Sequence, residues 1–594
     1  MARRSSQPDV ALLAVGWGML WGVALGFWLL APEIVDAHRI QIETLGQRVV
    51  LTLALTFIFA ALGGFLTLIA GLALAGIEAA IAGPFRDRTW AYGLFGGVLL
   101  VVAYTLDSIL IHWTNFHSLD DLRRVQSSLA AFIASCVVAS VVLGIVYRKV
   151  TTRFRSLRPR ALAWTLAGLA VTGAVALALR SAALLPAPDI GALRARQPQR
   201  DDVPLLFVGI DGATWRLLQP AIEGGTAPTL RALADRGTTG TVEALWPPYW
   251  SGAAWAAILT GLPREVTGVY EDLAGIAPGL PPFQIPIVVS LRLNPIYSVR
   301  SLLAASGVIE PALPPRSLLR GKPVWELLHD AGVDTAVVRF RFTHPPAAQM
   351  GVTISDRVGN DGWTLLGVRR DPVPEAVTPA SRADELLAPF KPQARDADLF
   401  QRLLPTADLH QPADALLDPF EQLRISSDID TRTFEVSERI VRTSPAQPFL
   451  AVYFAGLDSV EHAFWQYRFP GDYTQNPPAP ADVERLGAVL DRYVRYIDDR
   501  LGQLLALYSQ PPNVLIVSDH GHGATTFSTA WRGWHERDGV FLASGPSIPH
   551  DVGPRTVSYY DIVPTIAALK GFEAPEQLTG RAVVTAPVQA TPPR

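Results

Sequence analysis

Two patterns of apolar and polar positions divide this chain. In its first third, five long runs with few charges recur, roughly Val10–Leu30, Val49–Leu74, Ala91–His112, Leu129–Tyr147 and Ala161–Leu185. A helix needs about 20 such residues to span a bilayer. The runs therefore predict an all-α domain of five transmembrane helices over 1–185. A polar, proline-bearing linker follows over 186–203. Beyond it, short β-branched runs alternate with amphipathic segments. Strands are predicted over Leu205–Ile210, Thr239–Ala244, Thr335–Phe340, Phe449–Phe454, Val514–Val517 and Val540–Ala543. Helices are predicted over Ala227–Arg236, Trp255–Leu259, Val324–Ala331, Thr431–Val441, Val483–Tyr508 and Ile562–Leu569. Of these, Val483–Tyr508 is strongly amphipathic, with Leu490, Tyr493, Ile497, Leu501 and Leu504 on one face. Strand–helix alternation on this scale predicts an α/β domain over 204–584, with a mostly parallel sheet and helices on both faces. Two irregular, proline-rich stretches, about 272–323 and 369–424, read as insertions, and 585–594 as a disordered tail.

Charge then orients the membrane part. Cations concentrate before the first run (Arg3, Arg4), between the second and third (Arg86, Arg88), and between the fourth and fifth (Arg148, Lys149, Arg153, Arg155, Arg158, Arg160). Positive loops stay in the cytoplasm. The N-terminus is therefore expected inside, and everything after the fifth helix outside, which makes the lipid bilayer one expected partner. The formal net charge of −3 gives no reason to expect a nucleic acid polymer. The lone Cys136 excludes internal disulfides.

The candidate chemistry sits where predicted strands end. In V-L-I-V-S-D-H-G-H-G, an apolar strand breaks at glycines and leaves Asp519 and His520 at its carboxyl end. Ligands of open α/β sheets bind at that edge. Leu205–Ile210 runs into Asp211-Gly212. Phe449–Phe454 runs into A-G-L-D-S-V-E-H, where a helix would put Asp458 and His462 on one face. His535 precedes the strand Val540–Ala543. Three carboxylates and three imidazoles form a ligand set for two divalent ions, with zinc the best match. Ser251 opens the segment S-G-A-A-W-A-A-I-L-T-G. At a helix N-terminus it would stand where a phosphate is favoured; a plain N-cap is the competing role.

Taken in order, G-I-D-G-A-T-W, A-P-T-L-R-A-L-A-D-R-G, P-P-Y-W-S-G-A-A-W-A-A-I-L-T-G, D-S-V-E-H, S-D-H-G-H-G, W-H-E-R-D-G-V-F and Y-Y-D-I-V-P-T-I resemble the alkaline phosphatase superfamily, in its type I phosphodiesterase and nucleotide pyrophosphatase branch. The resemblance spans most of Leu205–Ala582 and leaves out the membrane domain. It implies an alkaline-phosphatase-like fold and a phosphoric ester hydrolase. One metal would be held by Asp458, His462 and His535, and the other by Asp211, Ser251, Asp519 and His520. Two positions depart from the branch pattern. Ala254 stands where nucleotide pyrophosphatases carry an asparagine, and Thr267 where a histidine precedes glycine. Both bear on substrate class and neither on the ligands. The segment Ser251–Trp255 lacks the proline and arginine of the sulfatase signature.

These parts imply in-line attack by Ser251 on phosphorus, a phosphoseryl intermediate, and its release by water. With an alcohol as acceptor, the same site would transfer a lipid or glycan head group. A catalytically silent membrane protein, kept for binding or sensing, is the non-enzymatic alternative. The loop charges also predict that a reporter fused after Leu185 is active only outside the cytoplasm. Activity of a cytoplasmic reporter at that point would overturn the orientation.

Overall fold

The strand Leu205–Ile210 is buried along its whole length and has a neighbour on each side and helices over each face. This explains why it reads as a continuous apolar run and not as an alternating one. The computed structural model describes residues 191–195 and 203–584, apart from 247–248, 277–281, 286–309, 348–350, 360–373, 392–396, 406–417, 475–476, 525–531 and 551–554. The five apolar runs, most of the linker and the tail lie outside the described residues. Among the described residues no helix is long and apolar enough to cross a membrane.

In chain order the strands of the main sheet and of the hairpin beside it are β1 (Leu205–Ile210), β2 (Thr238–Glu243), β3 (Thr335–Val338), β4 (Val352–Ile354), β5 (Val377–Thr378), β6 (Phe449–Phe454), β7 (Asn513–Val517), β8 (Gly521–Ala524), β9 (Gly533–Glu536), β10 (Asp538–Ser544) and β11 (Thr556–Ser558). Nine of them form one sheet in the order β11-β2-β10-β7-β1-β6-β3-β4-β5. Its centre, β7-β1-β6-β3-β4, is parallel, whereas β10 and β5 run antiparallel to their inner neighbours. The hairpin β8–β9 is a separate two-stranded unit. The helices that matter for the site are α1 (Trp215–Glu223), α2 (Pro228–Ala234), α3 (Ser251–Thr260), α4 (Pro419–Thr443), α5 (Gly456–Arg468), α6 (Val489–Leu505) and α7 (Ile562–Leu569).

Side-chain alternation along β1 and β6 splits the core between two faces. Leu206, Val208, Ile210, Leu450, Val452 and Phe454 join the cluster that includes residues of α4, α5 and α6. Leu205, Phe207, Phe449, Ala451 and Tyr453 join the one that includes residues of α3 and α7. Successive strand residues point to opposite faces, so each strand feeds both layers.

Several elements differ from the sequence expectation. The helix expected over Val483–Tyr508 is broken into Pro480–Leu486 and Val489–Leu505. A Cβ on Gly487, which follows the first piece, would come within 3.1 Å of the Tyr467 carbonyl oxygen, so another backbone passes close by. Helix α4 starts twelve residues before Thr431, capped by Asp418, which accepts from the N–H of Phe420 at 2.9 Å. Before Thr431, buried Gln422, Ser426, Ser427 and Asp430 interrupt the apolar period and concealed it. Thr431, Thr433 and Ser437 return their hydroxyls to the carbonyls four residues earlier. Strand β3 ends at Val338, because Arg339 (φ 57) and Phe342 (φ 64) turn left-handed and take the chain off the sheet. Helix α1, capped by Thr214, was not expected at all. The 272–323 stretch contains a three-stranded antiparallel sheet of Phe283–Ile285, Leu273–Ile276 and Glu310–Ala312. Within the expected linker, Arg194–Ala195 pairs with Phe572–Glu573.

Gly209 in β1 sets the seat of α3. A Cβ there would lie 2.8 Å from the ring of Trp255 on α3 and 2.8 Å from Phe340. Phe340 in turn stacks on Phe207 at 5.1 Å and lies 5.4 Å from the Tyr453 ring. Because these buried rings already fill the space, Gly209→Ala is expected to overpack the seam. The expected loss is about 1–3 kcal/mol of stability, measured by denaturant unfolding followed by tryptophan fluorescence. An unchanged midpoint would mean that α3 shifts freely on the sheet.

Candidate active site

The parallel strands β1, β6 and β7 end side by side, and each hands a carboxylate to the same place. Asp211 follows β1, and its N–H donates to Phe454 at the end of β6 at 3.0 Å. Gly212, at φ 74, then turns the chain away. After β6 the chain enters α5, which carries Asp458 and His462 four residues apart, as the spacing predicted. After β7 come Asp519 and His520. His535 lies inside β9, on a hairpin outside the main sheet, and not on its edge as expected.

Ser251 is 3 % exposed and is the first residue of α3. The N-cap position belongs to Trp250, whose side chain makes no capping bond, so the N-cap role does not fall to Ser251. The Ser251 hydroxyl instead donates to Asp211 Oδ1 at 3.2 Å and faces His520 Nε2 at 3.3 Å. His520 Nε2 is 3.3 Å from Asp211 Oδ1 and 3.5 Å from Asp519 Oδ2. In a second cluster, Asp458 Oδ1 lies 3.4 Å from His462 Nε2 and 3.5 Å from His535 Nε2. The two imidazole nitrogens are 3.1 Å apart. The structure thus brings all seven residues named from the sequence into two adjacent groups. His520 stacks on His535 at 3.9 Å where the groups meet.

The backbone sets the imidazole tautomers. His462 Nδ1 bonds Gly533 O at 2.8 Å, His520 Nδ1 bonds Gly521 O at 2.9 Å, and His535 Nδ1 bonds Tyr249 O at 3.0 Å. A carbonyl can only accept, so each Nδ1 carries hydrogen and each Nε2 is turned toward the carboxylates. Metal-ligating histidines are oriented in this way. Tyr249 holds a left-handed φ of 62 to present that carbonyl. Asp458 Oδ1 and Asp519 Oδ2 are buried without a hydrogen-bond partner. Two Nε2 atoms at 3.1 Å, beside orphaned carboxylate oxygens, are a donor set that fits divalent cations. The buried groups Asp211-Asp519-His520 and Asp458-His520-His535 each present three ligand atoms within 4.8 Å of one another.

Burial and crowding shift the titrations in opposite directions. Burial and the neighbouring Asp211 push Asp519 well above the usual carboxylate range. Burial also acts to raise Asp458, but the imidazoles of His462, His522 and His535 reverse it and hold this carboxyl well below that range. Burial opposes a charge on His520, yet Asp519 and Asp211 outweigh it and raise its pKa. His535 is depressed by burial and by His520. Cation binding at the first group would therefore displace protons from Asp519 and His520.

Five further residues complete the site, none of them named from the sequence. Tyr453, pointing from β6, donates its hydroxyl to Asp211 Oδ2. Asp272 accepts from the Gly252 N–H, directly after Ser251, and pairs with Arg341 at 2.5 Å. Both members of that pair are almost completely buried. His522 and Glu461 flank Asp458. Both were in view in S-D-H-G-H-G and D-S-V-E-H. One available signal was that residues two apart in an extended segment share a side, which places His522 with His520. Of the positions departing from the branch pattern, Ala254 is buried in α3, and Thr267 is buried with its hydroxyl on the Arg264 carbonyl.

The model of the type I phosphodiesterase/nucleotide pyrophosphatase family matches residues 205–552, more than half of the chain. The chain belongs to that family, and it is a hydrolase acting on phosphoric ester bonds. A search of curated proteins gives no match. Solved structures similar to it include the 2-O GAG sulfatase BT1596, with 14% identity, TM-score 0.37, and coverage of 65% of this chain and 73% of that one. Another is the phosphonate monoester hydrolase SpPMH from Silicibacter pomeroyi, with 14% identity, TM-score 0.34, and coverage of 64% and 76%. A third is the alkaline phosphatase PafA, with 10% identity, TM-score 0.36, and coverage of 65% and 99%.

The Asp272–Arg341 pair supports the start of α3 from below. Burial raises the Asp272 carboxyl to about 6, with Arg341 and the Gly252 N–H acting against that rise. Asp272→Ala would leave a buried guanidinium short of its carboxylate. The expected cost is about 3–5 kcal/mol, read from denaturant unfolding. Asp272→Asn keeps an acceptor for Gly252 and should cost less. Equal, small losses in both would show that the pair is dispensable to the fold.

Proposed function

We propose that this chain is a membrane-anchored phosphodiesterase working outside the cytoplasm, with Ser251 as nucleophile and two divalent cations, zinc foremost. Asp458, His462 and His535 would hold one cation, and Asp211, Ser251, Asp519 and His520 the other. When bound, the cations supply positive charge that favours the serine alkoxide and neutralises the entering and leaving oxygens. The observation that carries this reading is the position of the Ser251 hydroxyl. It is buried at the first turn of α3 and touches both Asp211 and His520.

The residues divide the work as follows. The hydroxyl has one proton, which points at Asp211, so an Oγ lone pair faces His520 Nε2. Loss of the proton leaves Oγ free to attack phosphorus. The new Oγ–P bond forms as the ester P–O bond breaks, and the alcohol leaves with a proton. Water then cleaves the phosphoserine and restores Ser251. Tyr453 holds Asp211 from behind, and Asp272 holds the Gly252 N–H, which fixes the direction of Oγ. The N-terminus of α3, a ten-residue helix, favours the anionic phosphoryl oxygens. Trp250 and Trp534 meet edge-on at 6.1 Å beside His535 and give the site an apolar wall. The five apolar runs and the cation-rich loops between them support the anchor and its orientation.

Ser251→Ala is expected to lower turnover by about three orders of magnitude or more while the fold persists. His462→Ala and Asp519→Ala should lower both bound metal and activity. A stopped reaction with a phosphorus-labelled diester, followed by peptide mapping, should label the peptide containing Ser251. Near-normal turnover in Ser251→Ala, with no labelled peptide in the wild type, would mean that water attacks directly and Ser251 is not the nucleophile.

A further inference from the structure

Beside the Asp458 cluster lie two buried ionisable side chains that the proposed mechanism leaves unused. Glu461 is 0% exposed, and neither of its carboxylate oxygens has a hydrogen-bond partner. His522 is 1% exposed, and neither of its ring nitrogens has one. They face each other and Asp458: His522 Nδ1 stands 3.5 Å from Glu461 Oε2 and 3.5 Å from Asp458 Oδ1. The chain builds this arrangement from two elements. Asp458 and Glu461 are three residues apart on α5 and so share a face. His522 lies on β8, paired across the hairpin with His535.

Glycines clear the space around them. A Cβ on Gly212 would come 2.8 Å from Glu461 Oε2 and 3.0 Å from Asp458 Cβ. A Cβ on Gly533 would come 2.8 Å from His522 Nε2. Room is thus kept for polar atoms that reach no hydrogen bond of ordinary geometry, an arrangement that burial strongly disfavours. A hydrogen-bonded Glu–His pair would close to about 2.7–3.2 Å, and these contacts are longer. Two ligand atoms each about 2.0–2.2 Å from one tetrahedral cation are separated by about 3.3–3.6 Å, which is the spacing of His522 Nδ1 from each of the two carboxylates. One imidazole with two carboxylates suits a hard-to-borderline divalent ion such as zinc or manganese.

We propose that Glu461, His522 and Asp458 form a third divalent-cation site, which shares the Asp458 carboxylate with the site of His462 and His535. It rests on the two-cation reading above and goes beyond it. The third cation would tie α5 to the hairpin β8–β9. Those elements carry His462 and His535, so it would hold both imidazoles in place. Asp458 would serve two cations, which also explains why so many imidazoles gather around a single carboxylate.

The test is metal stoichiometry of the purified full-length chain, stripped with chelator, re-equilibrated with zinc or with manganese, and read by mass spectrometry. The wild type should bind three ions per chain. Glu461→Gln and His522→Phe should each bind two. Two ions in the wild type, unchanged in both variants, would remove the third site and leave the two-cation reading intact. Two ions falling to one in both variants would assign Glu461 and His522 to the cation of His462 and His535, and would also overturn the third site. A wild type that binds none would sink the two-cation reading and this site together. If a variant fails to fold, anomalous diffraction from the wild type at the zinc edge decides the matter. A peak bounded by Glu461 and His522 supports the site, and two peaks elsewhere overturn it.

Discussion

Four carboxyl groups, Asp211, Asp458, Glu461 and Asp519, share one buried pocket, and almost everything around them serves to keep them there. Asp458 is the least enclosed of the four and sits among the most imidazoles. Like charges in a dry environment repel strongly, and burial alone already favours their protonation. The protein answers with imidazoles whose Nδ1 atoms are tied to backbone carbonyls, so that their Nε2 atoms face the acids. Among the described residues, no arginine or lysine joins the two clusters. A guanidinium would neutralise the acids permanently, whereas imidazole nitrogens and carboxylate oxygens together leave the charge to be balanced by cations.

The scaffold turns that constraint into precision. Three parallel strands deliver Asp211, α5 and Asp519 to one edge with backbone hydrogen bonds between them, so their relative positions are set by the sheet register. Ser251 arrives from a different direction, on α3, and its height is set by contact with Gly209 and the rings of Trp255, Phe340 and Tyr453. The buried Asp272–Arg341 pair then grips the backbone one residue beyond Ser251. A buried ion pair is weak evidence for stability. Its worth here lies in holding a single N–H at the start of a helix whose first residue must point at two other side chains.

The Asp458 cluster draws partners from outside the main sheet. His535 reaches the site from β9, because the hairpin β8–β9 folds back over the strand ends. The same hairpin brings in His522. Chain segments far apart in sequence therefore meet at Asp458, and the spacing between their ligand atoms is a property of how α5 packs on the hairpin.

The α/β character, the buried central strands β1, β6 and β7, and the acid at the end of each were legible in the sequence. Local rules set them: an apolar run broken by glycine has few alternatives. Asp458 and His462 were legible as a pair because a helix fixes residues four apart on one face. The beginning of α4, the break at Gly487 and the end of β3 were not, since each depends on a neighbour: polar side chains buried on the helix's packed face, a passing carbonyl, and left-handed residues held by packing. The role of Ser251 was left open between cap and nucleophile. Only the tertiary structure turned its hydroxyl toward Asp211 and His520. Tyr453, Asp272, Arg341, Glu461 and His522 were likewise decided by the fold, because a side chain's partners across hundreds of residues leave no period in the chain. Residue types and local spacing set what each strand end could offer; distances across the site came only from the packing of strands, helices and hairpin against one another.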